Sequence, residues 1–456
     1  MNLDGVRMAV AGMGRSGVGI ALAATKRGAR VRVFDEKSAD TPERIAELER
    51  LESAGIDVVT GWHGHLAGED HDLLTASPGF RRDHPAIRDT LAAGKEVISE
   101  VEFAYRIAKA PILAITGTNG KSTTTVMTWL ALKATGVEAV LCGNLSGSGY
   151  PELTLTEAAD STPEDGFLVA EVSSFQLEWV RDFRPLAACV TTVTPDHMDR
   201  HPTFRDYFDT KLRIFRKMGR GDTAVWNREE VTVPRTEIEA VLGDGAAIAP
   251  VPGEVTLSDS AIGWRGVELA LDKMPLLGSH NVQNAMMALT MVGAARTRTT
   301  AAQAQAAVDA IRSMHALDYR MQNLGQKDGV LVVNNSMCTN PGAVIASSRS
   351  MRQHQILLMG GAMKGLDFGP VGEYLRQSGH TPVLFSEHRF ALASSLGLTE
   401  VEHAESLGAA FLRATQLASS GHVIMLAPGC ASADPYTNFR ERGDDFSRMV
   451  SQWLNN

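Results

Sequence analysis

Two glycine-bearing turns carry residues able to handle phosphate. Thr116-Gly117-Thr118-Asn119-Gly120-Lys121-Ser122 follows the short apolar run Ile112–Ile115 and precedes a helical stretch reaching about Thr135. In a turn of this kind, backbone N–H groups surround phosphate oxygens, Lys121 neutralises β/γ charge and the Ser122 hydroxyl can hold Mg²⁺. The full phosphate-loop pattern is incomplete, because Ile115 stands where its first glycine would be. Strand, loop and helix in that order nevertheless predict an ATP site. The second turn, Gly12-Met13-Gly14-Arg15-Ser16-Gly17, lies between the apolar stretch Arg7–Ala11 and a helix beginning near Val18; Asp35 follows the next strand, Val31–Phe34. This is GxGxxG in the setting that a dinucleotide or other nucleotide requires, with helix N–H groups and a positive dipole end facing an anion.

These turns need strands to hold them. The chain has 456 residues, which at roughly 150 per domain predicts about three domains. Strand-like stretches Leu73–Ala76 and Glu96–Ile98 continue the first unit to residue 108. Phe167–Val172 and Ala188–Val193 alternate with helical segments in a central unit, 109–315, ending in the Ala-rich Thr299–Ile311. Val330–Val333, Ile356–Met359, Val383–Phe385 and Val423–Leu426 fill a third unit, 316–456. That alternation predicts α/β domains with parallel sheets: a Rossmann-like first domain, a P-loop ATPase-type centre and a Rossmann-like third domain.

Composition narrows the partners. Lys and Arg number 44 against 53 Asp and Glu, a formal net charge of −9, which argues against a general nucleic-acid surface. Cys142, Cys189, Cys338 and Cys430 are widely spaced without a CxxC pair, fitting neither a zinc site nor a disulfide framework. No bilayer-length apolar run or basic leader is evident, so a cytoplasmic protein without membrane partners is expected.

The form of the phosphate turn also resembles that of the Mur ligases, the amino-acid-adding enzymes of peptidoglycan precursor synthesis, and of the related folylpolyglutamate synthases. Further segments resemble the D-glutamate-adding Mur ligases: Glu171-Val172-Ser173-Ser174-Phe175-Gln176-Leu177-Glu178, Asp196-His197-Met198-Asp199-Arg200-His201-Pro202, Lys211-Leu212-Arg213-Ile214-Phe215 and Gly278-Ser279-His280-Asn281-Val282-Gln283-Asn284. Near the end, Ala427-Pro428-Gly429-Cys430-Ala431-Ser432 and Asn438-Phe439-Arg440-Glu441-Arg442-Gly443 resemble two more.

The resemblance implies that ATP phosphorylates the carboxylate of UDP-N-acetylmuramoyl-L-alanine and that the amine of D-glutamate attacks the acyl phosphate. Cations must screen the repulsion between the γ-phosphate and that carboxylate. By motif matching, Gly117, Thr118, Asn119, Gly120, Lys121, Ser122, Thr123, Asn281, Arg320 and Asn335 are expected to bind ATP. Two Mg²⁺ ions are expected at Ser122, Glu171, His197 and Lys211, with Lys121, Glu171, His197 and Lys211 catalytic. A lysine beside Mg²⁺ is driven towards the neutral amine, which reacts with CO₂, and the resemblance implies a carbamylated Lys211. Gly14, Arg15, Ser16, Asp35, Lys37, Gly79, Asn144 and His197 are expected to hold the UDP substrate, and Thr339, Lys364, Ser432 and Phe439 the amino acid. A monomer is expected, with domain closure near residues 312–320.

Three departures bear on the amino acid. The segment Gly143-Asn144-Leu145-Ser146-Gly147-Ser148-Gly149-Tyr150-Pro151 is longer than the family's GNIGxP, Met337 stands where lysine is common, and Asn335 replaces an aspartate. D-glutamate is favoured, with L-glutamate or another acidic amino acid as alternatives. A nicotinamide dehydrogenase would use GxGxxG and Asp35 but leave the phosphate turn and later motifs without a task. An ATP-driven switch would hydrolyse ATP without ligation. The leading GxGxxG unit argues against a folylpolyglutamate synthase.

Overall fold

The computed structural model describes residues 3–145, 147–229, 232–276, 278–315, 317–363, 365–432 and 435–455. Three separate sheets follow one another along the chain. The first is wholly parallel, in the spatial order Asp57–Thr60, Arg30–Asp35, Arg7–Ala11, Leu73–Ala76, Glu96–Ser99. Strand order reverses between Arg7–Ala11 and Leu73–Ala76, which opens a crevice at their carboxyl ends, where a Rossmann-type sheet takes its ligand. Two glycines make the turn there possible. Gly12 has φ +101°, and a Cβ on Gly17 would lie 1.9 Å from the Gly12 carbonyl oxygen. The space around Gly14 is open, with no atom within 4 Å of a Cβ placed there.

The central sheet is also parallel, in the order Ala247–Val251, Thr223–Asn227, Ala187–Val190, Ile112–Thr116, Phe167–Glu171, Ala139–Gly143. Its middle strand, Ile112–Thr116, is buried at every position, as expected where helices cover both faces and apolar runs replace alternation. Helix Lys121–Ala134 packs against Ser279–Ala295 and Ala301–Arg312. The last begins at a capping box in which Thr300 and Gln303 satisfy each other's backbone N–H groups.

In the third sheet Gln322–Lys327 runs antiparallel to Val330–Asn334, and Val423–Gly429, Gln355–Gly360, Thr381–Phe385 and Glu402–His403 continue it in parallel. Mixed α/β architecture with parallel sheets is therefore as expected from the alternation. Two details differ. The strand expected to reach Val193 stops at Val190, because Thr191 and Thr192 turn to meet the phosphate loop: the Thr191 hydroxyl donates to the Asn119 carbonyl at 2.5 Å, and the Thr192 hydroxyl accepts from Asn119 N at 3.0 Å. A small antiparallel sheet, Thr256–Leu257, Ala261–Trp264 and Val267–Ala270, also lies in the centre, where only parallel alternation was expected. Its strands are too short for a period-2 signal. The four cysteines are free and buried, and among the described residues no helix is long and apolar enough to cross a membrane.

Candidate active site

Strand Ile112–Thr116 delivers the phosphate loop to the carboxyl edge of the central sheet. Gly117 has φ +149° and Gly120 φ +81°; a Cβ at Gly117 would meet Thr191 Oγ1 at 1.9 Å, and one at Gly120 would meet Asn284 Oδ1 at 2.7 Å. Neither site accommodates a side chain, so the loop's backbone N–H groups are pressed into a fixed cradle at the amino end of helix Lys121–Ala134. Thr118 is pinned by its N–H to the Thr192 carbonyl (2.7 Å) and by its hydroxyl to the Thr194 carbonyl and the Tyr207 hydroxyl (both 3.1 Å). Lys121 Nζ donates to the Thr118 carbonyl at 2.8 Å. Burial lowers the Lys121 pKa, while Glu171 and Asp196 oppose that shift.

Neighbouring strands add oxygen donors. Glu171, at the end of Phe167–Glu171, is buried, accepts from the Ser122 hydroxyl, and takes Asn144 Nδ2 on its other oxygen at 3.0 Å. Ser122 and Glu171 are hard oxygen ligands beside a phosphate cradle, the donor chemistry that Mg²⁺ prefers when phosphates complete its shell. Among the described residues no three His, Cys, Asp or Glu side chains form a metal cage on their own. Lys211 lies behind the loop, 2 % exposed, with Nζ 2.7 Å from the Gly117 carbonyl and 4.5 Å from the Tyr207 ring centre. Burial, aided by the Lys121 charge, lowers its pKa well below the ordinary lysine value. His197 takes a left-handed φ of +56°, keeps its ring edge-on to Phe175 at 4.8 Å and accompanies Asp196 through Nε2 at 3.7 Å.

The third domain closes the site. A cavity of about 420 Å³ is lined on one side by Thr118–Thr123, Asn144, Glu171, His197 and Asn281, and on the other by Arg320, Asn335, Thr339, Ser432 and Phe439. These were expected from the sequence; Asp196, Asn284 and Asn340, which line the same cavity, were not. Arg320 is held between Tyr319 (φ +60°) and Met321 (φ +49°), two left-handed residues. Gln322 Oε1 accepts from Tyr319 N at 3.1 Å, and Asn335 Oδ1 from Met321 N at 3.2 Å. Asn335 thus fixes the backbone that aims Arg320. Phe439 stands edge-on to Tyr319, with centroids 5.9 Å apart. Lys364 lies outside the described residues.

The first-domain residues expected to bind UDP stand apart from this cavity. Asp35 spends its carboxylate on the loop itself, accepting Met13 N at 2.6 Å, Lys37 N at 2.8 Å and Arg44 at 2.8 Å. Ser16 Oγ lies 2.5 Å from Glu100 Oε2, and Arg15 reaches the Glu152 carbonyl at 3.5 Å. Gly79 belongs to a turn whose carbonyls at Pro78, Gly79 and Phe80 accept from Arg200 at 3.1, 3.4 and 2.6 Å.

Several site residues went unread in the sequence. Asn340 Nδ2 donates to Asp196 Oδ2 at 3.2 Å and lies 3.5 Å from Asn119 Oδ1, tying the third domain to the phosphate loop. Asn284 bonds both Thr124 and Asn281 at 3.1 Å. Asp196 and Asn284 belong to segments already singled out, and their spacing was the available signal; Asn340's partner is set by tertiary structure alone.

Three α/β units, the second and third meeting at a phosphate-loop cleft, define the class: an ATP-dependent enzyme. Family models for the Mur ligase MurD-like N-terminal domain, the Mur ligase middle domain and the Mur ligase glutamate ligase domain match residues 6–99, 115–292 and 319–430. The chain is 32% identical over 463 residues to the UDP-N-acetylmuramoylalanine--D-glutamate ligase of Pelotomaculum thermopropionicum, covering 97% of each, and 33% identical over 457 residues to that of Geotalea daltonii, covering 99% and 98%. It superposes on the UDP-N-acetylmuramate-alanine ligase of Thermotoga maritima with a TM-score of 0.60 at 19% identity, covering 99% of each chain, and equally well (0.60, 16%, 99% and 96%) on MurF ligase of the same organism. The chain belongs to the Mur ligase family, whose members are ATP-dependent, amide-bond-forming ligases.

Proposed function

We propose that the protein joins D-glutamate to the carboxyl group of UDP-N-acetylmuramoyl-L-alanine, forming ADP and phosphate, as a cytoplasmic step of peptidoglycan precursor synthesis. The observation that carries this reading is one shared cavity in which Lys121, Ser122 and Glu171 face Arg320, Thr339 and Ser432 across the domain cleft. One reacting carbon must meet a γ-phosphate on one side and an amine on the other, and this cavity has a wall for each.

Residues 1–108 would hold the uridine diphosphate, 109–315 the ATP and 316–456 the amino acid. In the first unit Gly14, Arg15, Ser16, Asp35, Lys37 and Gly79 surround the carboxyl-end crevice, and Asn144 and His197 extend the path towards the reacting carboxylate. Open space at Gly14 suits close approach of a diphosphate to the backbone. In the second unit Lys121 and the loop N–H groups stabilise charge on the transferring phosphoryl group, and Arg320 adds a cation from the third domain. Asn281 and Asn335 bound the nucleotide space.

Ser122 and Glu171 would hold one Mg²⁺, and His197 with carbamylated Lys211 a second; when bound, magnesium screens the two anions that must meet. The buried, charge-depressed amine of Lys211 suits carbamate formation, which replaces a cation by an anion. The substrate carboxylate attacks the γ-phosphorus and ADP leaves. The resulting acyl phosphate is attacked by the D-glutamate amine, held by Thr339, Ser432 and the segment at Phe439, and phosphate departs from the tetrahedral intermediate. Residues 312–320 act as the hinge, with closure excluding water.

An isotope experiment tests the intermediate. Substrate carrying ¹⁸O in its carboxylate should deliver one labelled oxygen to the released phosphate. Unlabelled phosphate accompanying amide formation would rule out acyl phosphate chemistry.

A further inference from the structure

Glu100 is a buried acid that the ligation chemistry does not use. It opens helix Glu100–Ile107 and is 1 % exposed, at the point where the first and central domains meet. Its partners come from three separate elements. Ser16 Oγ of the GxGxxG turn lies 2.5 Å from Oε2, Gln176 Nε2 donates to Oε2 at 3.3 Å, and Thr156 N donates to Oε1 at 3.4 Å. The Gln176 amide cannot be reversed, because its Oε1 already accepts from Ser173 N at 3.0 Å; its NH₂ group must face Glu100.

No cation among the described residues bonds to Glu100. Arg15 points to the Glu152 carbonyl. On helix Leu155–Ser161, Glu157 caps Thr154 and repels Glu100, while Asp160 is paired with Lys26 and Arg27. The Cys142 thiol faces it from strand Ala139–Gly143. On the remaining neighbours, Glu96 is paired with Arg106 and Glu178 with Arg200. A carboxylate with no counter-ion is costly at this depth even with three hydrogen-bond donors, whereas a neutral carboxyl keeps the Gln176 and Thr156 donors and gives its own proton to Ser16.

The state of that proton decides what Ser16 can offer. A hydroxyl has one hydrogen. Beside a carboxylate, Ser16 must spend it on Glu100 and present only lone pairs to the crevice. Beside a carboxylic acid, Ser16 accepts from Glu100 and its own hydrogen is released for an anion. We infer that Glu100 acts as a neutral hydrogen-bond donor to Ser16, positioning the Ser16 hydroxyl to donate to the diphosphate of the nucleotide substrate. The inference rests on the reading of the GxGxxG turn as the diphosphate site. Proton loss from Glu100 as pH rises removes that donor, so nucleotide affinity falls on the alkaline side.

Three variants in the full-length enzyme test it, with KM for UDP-N-acetylmuramoyl-L-alanine and kcat measured between about pH 6 and pH 9. Glu100→Gln retains an N–H donor towards Ser16 and gives up only the acceptor facing Gln176 Nε2, so it should raise KM less than Glu100→Ala does at neutral pH while losing the alkaline rise. Glu100→Ala should raise KM about tenfold with kcat nearly unchanged, the scale of one lost hydrogen bond to a charged group. Ser16→Ala should raise KM similarly and make it insensitive to Glu100→Gln. The same KM rise with pH in wild type and Glu100→Gln overturns the inference, and that comparison stands even if Glu100→Ala does not fold. If Ser16→Ala leaves KM unchanged, the diphosphate reading itself fails; if Ser16→Ala matters and the two pH profiles coincide, only the role of Glu100 fails.

Discussion

Lys211 Nζ donates to the Gly117 carbonyl at 2.7 Å, so a buried lysine from helix Phe204–Leu212 touches the backbone of the phosphate loop directly. The amine is thereby fixed behind the triphosphate cradle, where burial and the Lys121 charge favour its neutral form. A neutral amine at this point is the nucleophile that CO₂ requires.

Replacing Lys211 by alanine should therefore cost about 10²–10³ in kcat, the scale of a removed electrostatic stabiliser, and short carboxylates such as acetate should restore part of it. Steady-state ligation with and without added carboxylate is the check. Wild-type turnover in the alanine variant would remove Lys211 from the mechanism.

The glycines of the two turns should separate folding from binding. Gly117→Ala forces a Cβ against Thr191 Oγ1 at a left-handed φ, with a strain of about 1–3 kcal/mol, and should lower both the melting temperature and ATP affinity. Gly14→Ala meets no atom and should leave the melting temperature unchanged while raising KM for the nucleotide substrate severalfold. Calorimetric melting beside ligand titration distinguishes the two cases.

Arg200 is the third test. It pairs with the fully buried Glu178 side chain at 2.6 Å and holds the Pro78–Phe80 carbonyls of the first domain. Arg200→Ala leaves the buried carboxylate with only Arg82 Nε, 3.6 Å away, and should destabilise the protein by about 3 kcal/mol, the lower end of the cost of breaking a buried pair. Combining it with Glu178→Gln should recover a substantial part. Denaturant unfolding of both variants measures this; an unshifted midpoint for Arg200→Ala would contradict it.

A pH effect should come from the far edge of the third sheet. His354, His380 and His422 each precede a strand of that sheet, with ring centroids 5.8 Å (His354–His380) and 4.6 Å (His354–His422) apart. Burial, then repulsion from a neighbouring imidazole, lowers the pKa of His354 and of His380. Below the ordinary imidazole value of about 6.5 the unfolded chain takes up protons first. The cluster's contribution to stability is thus complete above that value and is lost as pH falls through the lowered folded values. The unfolding midpoint should drop between about pH 7.5 and pH 5, and His354→Gln should make the drop shallower. An identical slope in the variant would count against it.

What the sequence made legible follows from how locally each feature is encoded. Gly117, Gly120, Lys121 and Ser122 lie within six positions, and the backbone conformation they share is dictated by glycine alone, so the loop could be read before any sheet was known. Strands such as Ile112–Thr116 announced themselves as apolar runs because both faces of a parallel sheet are covered. Asn340 could not be read in this way: its bond to Asp196 crosses 144 positions, and a lone asparagine at a helix start signals only a cap. The strands at Thr256–Ala270 are two to four residues long, below the length at which alternation is visible. Asp35 was expected to face the ligand, yet its two oxygens brace Met13, Lys37 and Arg44, a division of labour that depends on where Arg44 falls on the next helix.

The most direct test is ligation itself. Purified protein supplied with ATP, Mg²⁺ and UDP-N-acetylmuramoyl-L-alanine is offered a panel of D- and L-amino acids, with ADP, phosphate and the new amide quantified together. The account predicts one ADP and one phosphate per amide, with D-glutamate the preferred amine. Absence of amide with every amine, or ATP cleavage that proceeds without one, would contradict it; preference for L-glutamate would contradict the assigned substrate.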